Sequence, residues 1–197
     1  MRSGTHLISA GLRLLGLGIF CASPPLAAAD WGLPQLMSEF AVVEESRARF
    51  QEEKHLAMLT EPLQLSGTLR YVRPDQIEKK ITQPYAESLR INGDRLEWEA
   101  QGRTRTLSLH SQPQIWALAE SLRATLAGDL TALQRHYSIK LTGLPTQWTI
   151  TLEPRYDSLS QFIEQIRLQG RGNQLRQVEI IEANGDRSLM RIEEIPN

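Results

Sequence analysis

The chain has 197 residues, 22 basic and 23 acidic side chains, a formal net charge of −1 and one cysteine. A balance this even, with no basic block interleaved with aromatics, excludes the electrostatic footprint of a nucleic-acid binder. A lone cysteine excludes a disulfide framework.

Arg2 and Arg13 give the N-terminus a positive region, Leu12–Phe20 is a short apolar run, and Ala27-Ala28-Ala29 places small residues before Asp30. This is the pattern of a secretory signal peptide over residues 1–29, and the run is too short to span a membrane. Cleavage would remove Cys21, which follows Phe20 rather than the small residue that a lipidated cysteine needs. Residues 30–197 are then expected to form one domain, soluble in an oxidising compartment, most simply the bacterial periplasm.

Leu33, Leu36, Met37 and Phe40 recur at helical spacing and predict a short helix over residues 33–43. The period then becomes two. Leu63, Leu65, Leu69 and Tyr71 alternate with polar residues, and Ile77 with Ile81, Leu89 with Ile91, Leu96 with Trp98 and Leu107 with Leu109 continue the pattern. Asn92-Gly93-Asp94 and Gln101-Gly102 read as tight turns, because asparagine and glycine tolerate positive φ. Helical spacing returns at Ile115, Leu118, Ala119, Leu122 and Leu126, with Pro113 suited to a first turn and Gly128 to a C-terminal cap. Asp129 can cap a second short helix ending at His136. Strands resume at Tyr137–Leu141, Trp148–Leu152, Phe162–Leu168, Leu175–Glu182 and Leu189–Glu194, the last two joined by Asn184-Gly185-Asp186. About ten short antiparallel strands with two helical pieces make an α+β fold: a strongly bent sheet or partial barrel with helices on one face.

Catalytic motifs are missing. His55, His110 and His136 are far apart and none has a second ligand at metal spacing. There is no phosphate loop and no nucleophile elbow, so no enzyme, cofactor or metal is expected. A bent sheet lidded by helices leaves a pocket between them, which makes binding the expected activity.

The stretch Tyr71–Pro84 (YVRPDQIEKKITQP) is harder to place. Each proline removes a ladder donor, which suits a sheet edge or a sharp strand-to-strand turn. The charges Glu78, Lys79 and Lys80 are tolerable if this strand borders a cavity mouth, where the stem of Lys79 covers apolar surface and its ammonium reaches water or a headgroup.

The ordered set of Arg73-Pro74, Ile81-Thr82-Gln83-Pro84 and Leu89 to Asp94 leading to Trp98, with Arg49-Phe50-Gln51 upstream and a helical insertion at 112–136, resembles the LolA-like periplasmic carriers of outer-membrane lipoproteins. The resemblance implies a half-open β-barrel closed by an N-terminal helix and a lid, with an apolar cavity for acyl chains. It implies a monomeric carrier that takes acylated lipoprotein or lipid from an inner-membrane releasing complex to an outer-membrane acceptor, without catalysis. By position, Arg73 matches the arginine whose contacts hold the lid closed and Ile77 matches a cavity residue. Ile115, Leu118 and Leu122 would be the lid's inner face, and Leu89, Ile91 and Trp98 would complete the ligand-binding wall. The sequence departs from the family at Lys79, where an aromatic is usual, and this leaves room for a different lipid or hydrophobic cargo. The alternative is a binding or sensor module of the same fold for a lipid or hydrophobic small molecule in the cell envelope.

Overall fold

The computed structural model describes residues 31–196; the expected signal peptide, Asp30 and Asn197 lie outside the described residues. The first element, α1 (Leu33–Phe40), starts with Pro34 in its first turn and buries Leu36, Met37 and Phe40. It is three residues shorter than its apolar spacing suggested, because the chain turns at Ala41 toward the sheet.

Six strands follow as an antiparallel meander: β1 (Glu45–His55), β2 (Leu63–Val72), β3 (Gln76–Gln83), β4 (Glu87–Asn92), β5 (Arg95–Ala100) and β6 (Arg103–Ser108). A single 3-10 turn at Leu109–Ser111 leads into α2 (Pro113–Leu126) and α3 (Leu130–His136). A second meander comprises β7 (Tyr137–Leu144), β8 (Gln147–Pro154), β9 (Ile163–Arg171), β10 (Gln174–Glu182) and β11 (Arg187–Glu194), with a one-turn helix, α4 (Asp157–Ser160), before β9. The strand not fully anticipated is β1, in which Ala48, Phe50 and Glu52 alone are buried among mostly charged neighbours.

All eleven strands form one sheet in the order β6-β5-β4-β3-β2-β1-β11-β10-β9-β8-β7. The first and last strands of the fold join the two meanders, Phe50 standing opposite Ile192. The sheet does not close: β6 and β7 are its edges, and the segment running between them is the helical insertion. Helix α2 packs against both β3 and β9. On a flat sheet those strands would be roughly 24 Å apart, so one helix reaches both only because the sheet curls around it. The architecture is the half-open antiparallel barrel with helices on its concave side.

Strand β3 is bonded to β2 on one side and β4 on the other, so it is not a sheet edge. Pro74 and Pro84 sit in the two connections that flank it, where no ladder hydrogen bond is lost. Gln101 (φ 52°) and Gly102 (φ 71°) make the β5–β6 turn; Gly102 suits its positive φ by residue type, and Gln101 is the one non-glycine at positive φ among the described residues. At β4–β5 the closing pair is Asn92 with Arg95, so the turn residues are Gly93 and Asp94, one step beyond the Asn-Gly pair.

The interior forms two apolar clusters. The larger gathers α1, α3 and the second meander around Trp148, which is fully buried, meets Phe40 edge-on and donates from Nε1 to Gly172 O at 2.8 Å. The smaller one contains Ile91, Leu96, Leu109 and Ala119. Helix α2 belongs to both clusters.

Candidate functional site

Helix α2 is apolar in an unusual way. Its fully buried residues are small or short: Ala117, Ala119, Ser121, Ala124 and Thr125. Its large apolar residues, Ile115, Leu118, Leu122 and Leu126, are only half-buried. A helix that merely covered a sheet would bury its leucines first. The small residues let the helix backbone approach its supports, and the leucine stripe faces a cavity of about 170 Å³.

The opposite wall comes from the sheet. Leu69 and Tyr71 on β2, Ile77 and Lys79 on β3, and Leu89 and Ile91 on β4 line it, with Val178, Met190 and Ile192 from β10 and β11. The cavity therefore lies where the two clusters fail to meet. Six of the eight residues predicted for the site line it: Ile77, Leu89, Ile91, Ile115, Leu118 and Leu122. Trp98 stands opposite Leu89 on β5 but is not among the lining residues, because the cavity stops at β4.

Arg73, the eighth, is outside the cavity and at its closure. It follows β2, and its backbone N–H is bonded to Glu44 O at 2.9 Å, which fixes the residue beside the end of α1. Its Nη2 donates to Ala41 O, the C-cap of α1, and to Ala127 O, the C-cap of α2, at 3.0 Å. Helix C-termini leave carbonyls without helical partners, and one guanidinium edge satisfies two such carbonyls from different helices. Gly128 brings those ends together. It has φ +70°, and a Cβ there would lie 2.3 Å from Met37 O and 2.9 Å from Ala41 Cβ. Only glycine permits both the conformation and the approach.

Two further ties hold the insertion. Arg123 donates from Nη1 to Gly93 O at 2.9 Å and pairs with Glu120 at 2.8 Å. Tyr137 donates from its hydroxyl to Ala117 O at 2.8 Å, and burial raises its pKa. At the start of the insertion Asp94 accepts from Ser108 Oγ at 2.8 Å and from the His110 backbone at 3.0 Å, with the His110 ring also in contact. The bond from Ser108, then those from His110, bring the Asp94 carboxyl down to about 2 from its ordinary 3.8.

That depression has a signed consequence. A carboxyl whose folded pKa is lowered contributes stability above its ordinary value, and the contribution is lost as pH falls through the folded value. We expect Asp94→Asn to lower the melting temperature by a constant margin above about pH 4, the margin closing toward about pH 2. Thermal melts across that range check it; a margin independent of pH would mean that the carboxylate charge is immaterial.

Lys79 is where the structure corrects the sequence reading. Its ammonium was expected at a mouth, reaching water. It is instead largely buried, bonded to the buried Glu52 on β1 and placed 5.0 Å from the Phe50 ring centroid. Glu52 also accepts from Ser188 Oγ at 2.6 Å and faces Lys54 Nζ at 3.8 Å. Burial alone would raise the Glu52 carboxyl, but the Lys79 and Lys54 charges and the two hydrogen bonds outweigh it and leave it below its ordinary value. Burial pulls the Lys79 ammonium below the ordinary lysine value, with Glu52 opposing. A buried cation requires such a partner, since alone it would lose its proton.

The family of outer membrane lipoprotein carrier protein LolA-like sequences matches residues 21–191. The chain belongs to this LolA-like family. No curated protein matches the chain by sequence. Among solved structures, a LolA superfamily protein from Nitrosomonas europaea is similar at 8% identity and a TM-score of 0.42, over 84% of this chain and 92% of that one. A putative outer membrane lipoprotein-sorting protein domain from Vibrio parahaemolyticus is similar at 9% identity and a TM-score of 0.43, over 81% and 88% of the two chains. The lipoprotein LppX of Mycobacterium tuberculosis is similar at 9% identity and 0.41, over 83% and 98%.

Among the described residues of this LolA-like chain, no helix is long and apolar enough to cross a membrane, and no group of three His, Cys, Asp or Glu side chains could hold a metal ion.

Proposed function

We propose that this LolA-like protein is a non-catalytic carrier of acyl chains, those of lipoproteins or related lipids, which it holds in the cavity under α2 and shuttles toward the outer membrane. The observation that carries the reading is the half-buried leucine stripe of α2 over an apolar cavity, with Arg73 bonded to the ends of α1 and α2. In this reading residues 1–29 are removed on export, the mature monomer works in the periplasm, and an inner-membrane releasing complex and an outer-membrane acceptor are its donor and recipient.

Size sets the mechanism. A cavity of about 170 Å³ is on the scale of one that takes benzene, far less than an acyl chain needs. The closed form is thus the empty form. Loading requires α2 to move away from the sheet, which lengthens the cavity along the Leu118–Leu126 stripe. Native mass spectrometry of protein purified from the periplasm tests the proposal: a co-purified acyl species supports it and names the cargo class. Protein that carries no acyl species and takes none up from mixed lipid micelles overturns it.

A further inference from the structure

The interior cluster on β1, β3 and β11 is not a simple ion pair. Glu52 accepts at both oxygens: Lys79 bonds one and Ser188 the other, and Lys54 stands at 3.8 Å from the second. Lys54 is partly exposed and also feels Glu182, so the close partner of Glu52 in the interior is Lys79. Lys79 is not saturated. An ammonium has three donors, and Glu52 is its single hydrogen-bond acceptor among the described residues. The Phe50 ring face adds cation–π attraction and takes no geometry that a second acceptor would need.

The placement of Lys79 gives this spare capacity a direction. It occupies the middle of the cross-strand row Leu69–Lys79–Leu89, and all three line the cavity. The other charged lining residues stand elsewhere: Glu194 ends β11, and Arg70 is bonded to Glu45 through a half-exposed guanidinium. Within the apolar row of β2, β3 and β4 the charge is a cation with free donors. An ordinary saturated chain packed against it would gain nothing from those donors and would leave them without acceptors, which is costly in a low-dielectric interior.

We propose that the cavity selects a single-chain lipid bearing a carboxylate, a free fatty acid or an acid of that type, with Lys79 as the residue that binds the carboxylate. This rests on the reading that the cavity holds an acyl chain, and it narrows the cargo. The carboxylate takes up the free donors of Lys79, and the chain runs from there along Leu118, Leu122 and Leu126. A thioether-linked or ester-linked diacyl group, with no charge at that depth, is disfavoured.

Displacement of the uncharged dye Nile red by palmitate and by methyl palmitate, at neutral pH and below their aggregation limits, tests this. Palmitate should displace the dye from the wild-type protein at about one-tenth the concentration that the ester needs, the gain of a charge-assisted contact. In Glu52→Gln/Lys79→Met, which removes both charges and shortens only residue 79, by its terminal nitrogen, the two competitors should become equal. Lys79→Arg should keep a preference for the acid. Equal competition in the wild-type protein overturns the proposal and leaves the carrier reading standing, and so does a preference that survives in the double variant. A wild-type protein that binds no dye overturns both.

Discussion

Replacing Leu118 and Leu122 together by aspartate should abolish acyl binding while leaving the protein folded. Both residues lie on the cavity face of α2 and are half-buried in the closed form, so each new carboxylate can reach solvent there. The helix would still be anchored by its small buried residues and by the Tyr137–Ala117, Arg123–Gly93 and Arg73–Ala127 bonds, none of which the substitutions touch. A loaded cavity is different, because the chain would have to lie against both side chains. Burial of one leucine contributes about 1.5–3 kcal/mol, so two lost contacts amount to roughly 3 kcal/mol or more. At 1.4 kcal/mol per tenfold, affinity should fall by about a hundredfold or beyond, before the desolvation of two carboxylates is added. Titration with a fluorescent fatty acid, beside circular dichroism to establish folding, measures it. A folded double variant with wild-type affinity would mean that α2 is only packing.

The course of the chain was readable wherever alternation or helical spacing ran uninterrupted. Asp129 caps α3 through a bond to Ala132 N, and Gly128 takes its left-handed conformation after α2, both as their residue types imply. Strand β1 was the weak point, and the reason is physical. Its inward positions are Ala48, Phe50 and Glu52, so a charge occupies one of three places where alternation demands an apolar residue. The same substitution hid the interior cluster. Lys79 and Glu52 each look like a breach of pattern on their own strand. They make sense only as a pair, and a sequence does not display a pairing between residues 27 apart.

Of the two readings of β3, the sheet edge is excluded and the strand-to-strand turns hold. Prolines and charges are signs of an edge strand, yet here the prolines fall in the connections and one of the charges is neutralised across two neighbouring strands. Gly67 lets the β2 and β3 backbones approach beside that pair. It stands between Phe50 and Ile81 in the row next to Lys79, where a Cβ would lie 1.9 Å from Lys80 O. For the cavity wall, the stripe on α2 gave Ile115, Leu118 and Leu122 their face, and alternation along β3 and β4 gave Ile77, Leu89 and Ile91 theirs. What the stripe could not say is whether its leucines are fully buried, which is the difference between a packed helix and a lid.

Arg73→Leu should slow the release of bound lipid while leaving uptake intact. The reasoning starts from the cavity volume: the closed form is too small for a chain, so closing and loading compete. Each state's population sets the apparent affinity of the other, and weakening closure strengthens cargo retention by the same factor. Arg73 supplies two hydrogen bonds, one to the end of α1 and one to the end of α2. Bonds to a charged group contribute about 1.5–3 kcal/mol each; because the guanidinium is partly exposed we take the low end, about 3 kcal/mol for both. The closed-to-open ratio should then fall by roughly a hundredfold, and release into acceptor membranes, which is driven by closure, should slow toward that factor. Arg73→Lys should be intermediate, because both bonds leave one nitrogen and an ammonium has donors enough for them, but the shorter stem brings that nitrogen less close to the two carbonyls. Folding should survive both changes, since the two carbonyls lie at helix ends that water can reach. The measurement is transfer of a fluorescent fatty acid from the loaded protein to vesicles. If Arg73→Leu delivers as fast as the wild-type protein, the two hydrogen bonds hold α1 to α2 without governing release, and opening must be controlled by the Arg123 and Tyr137 ties instead.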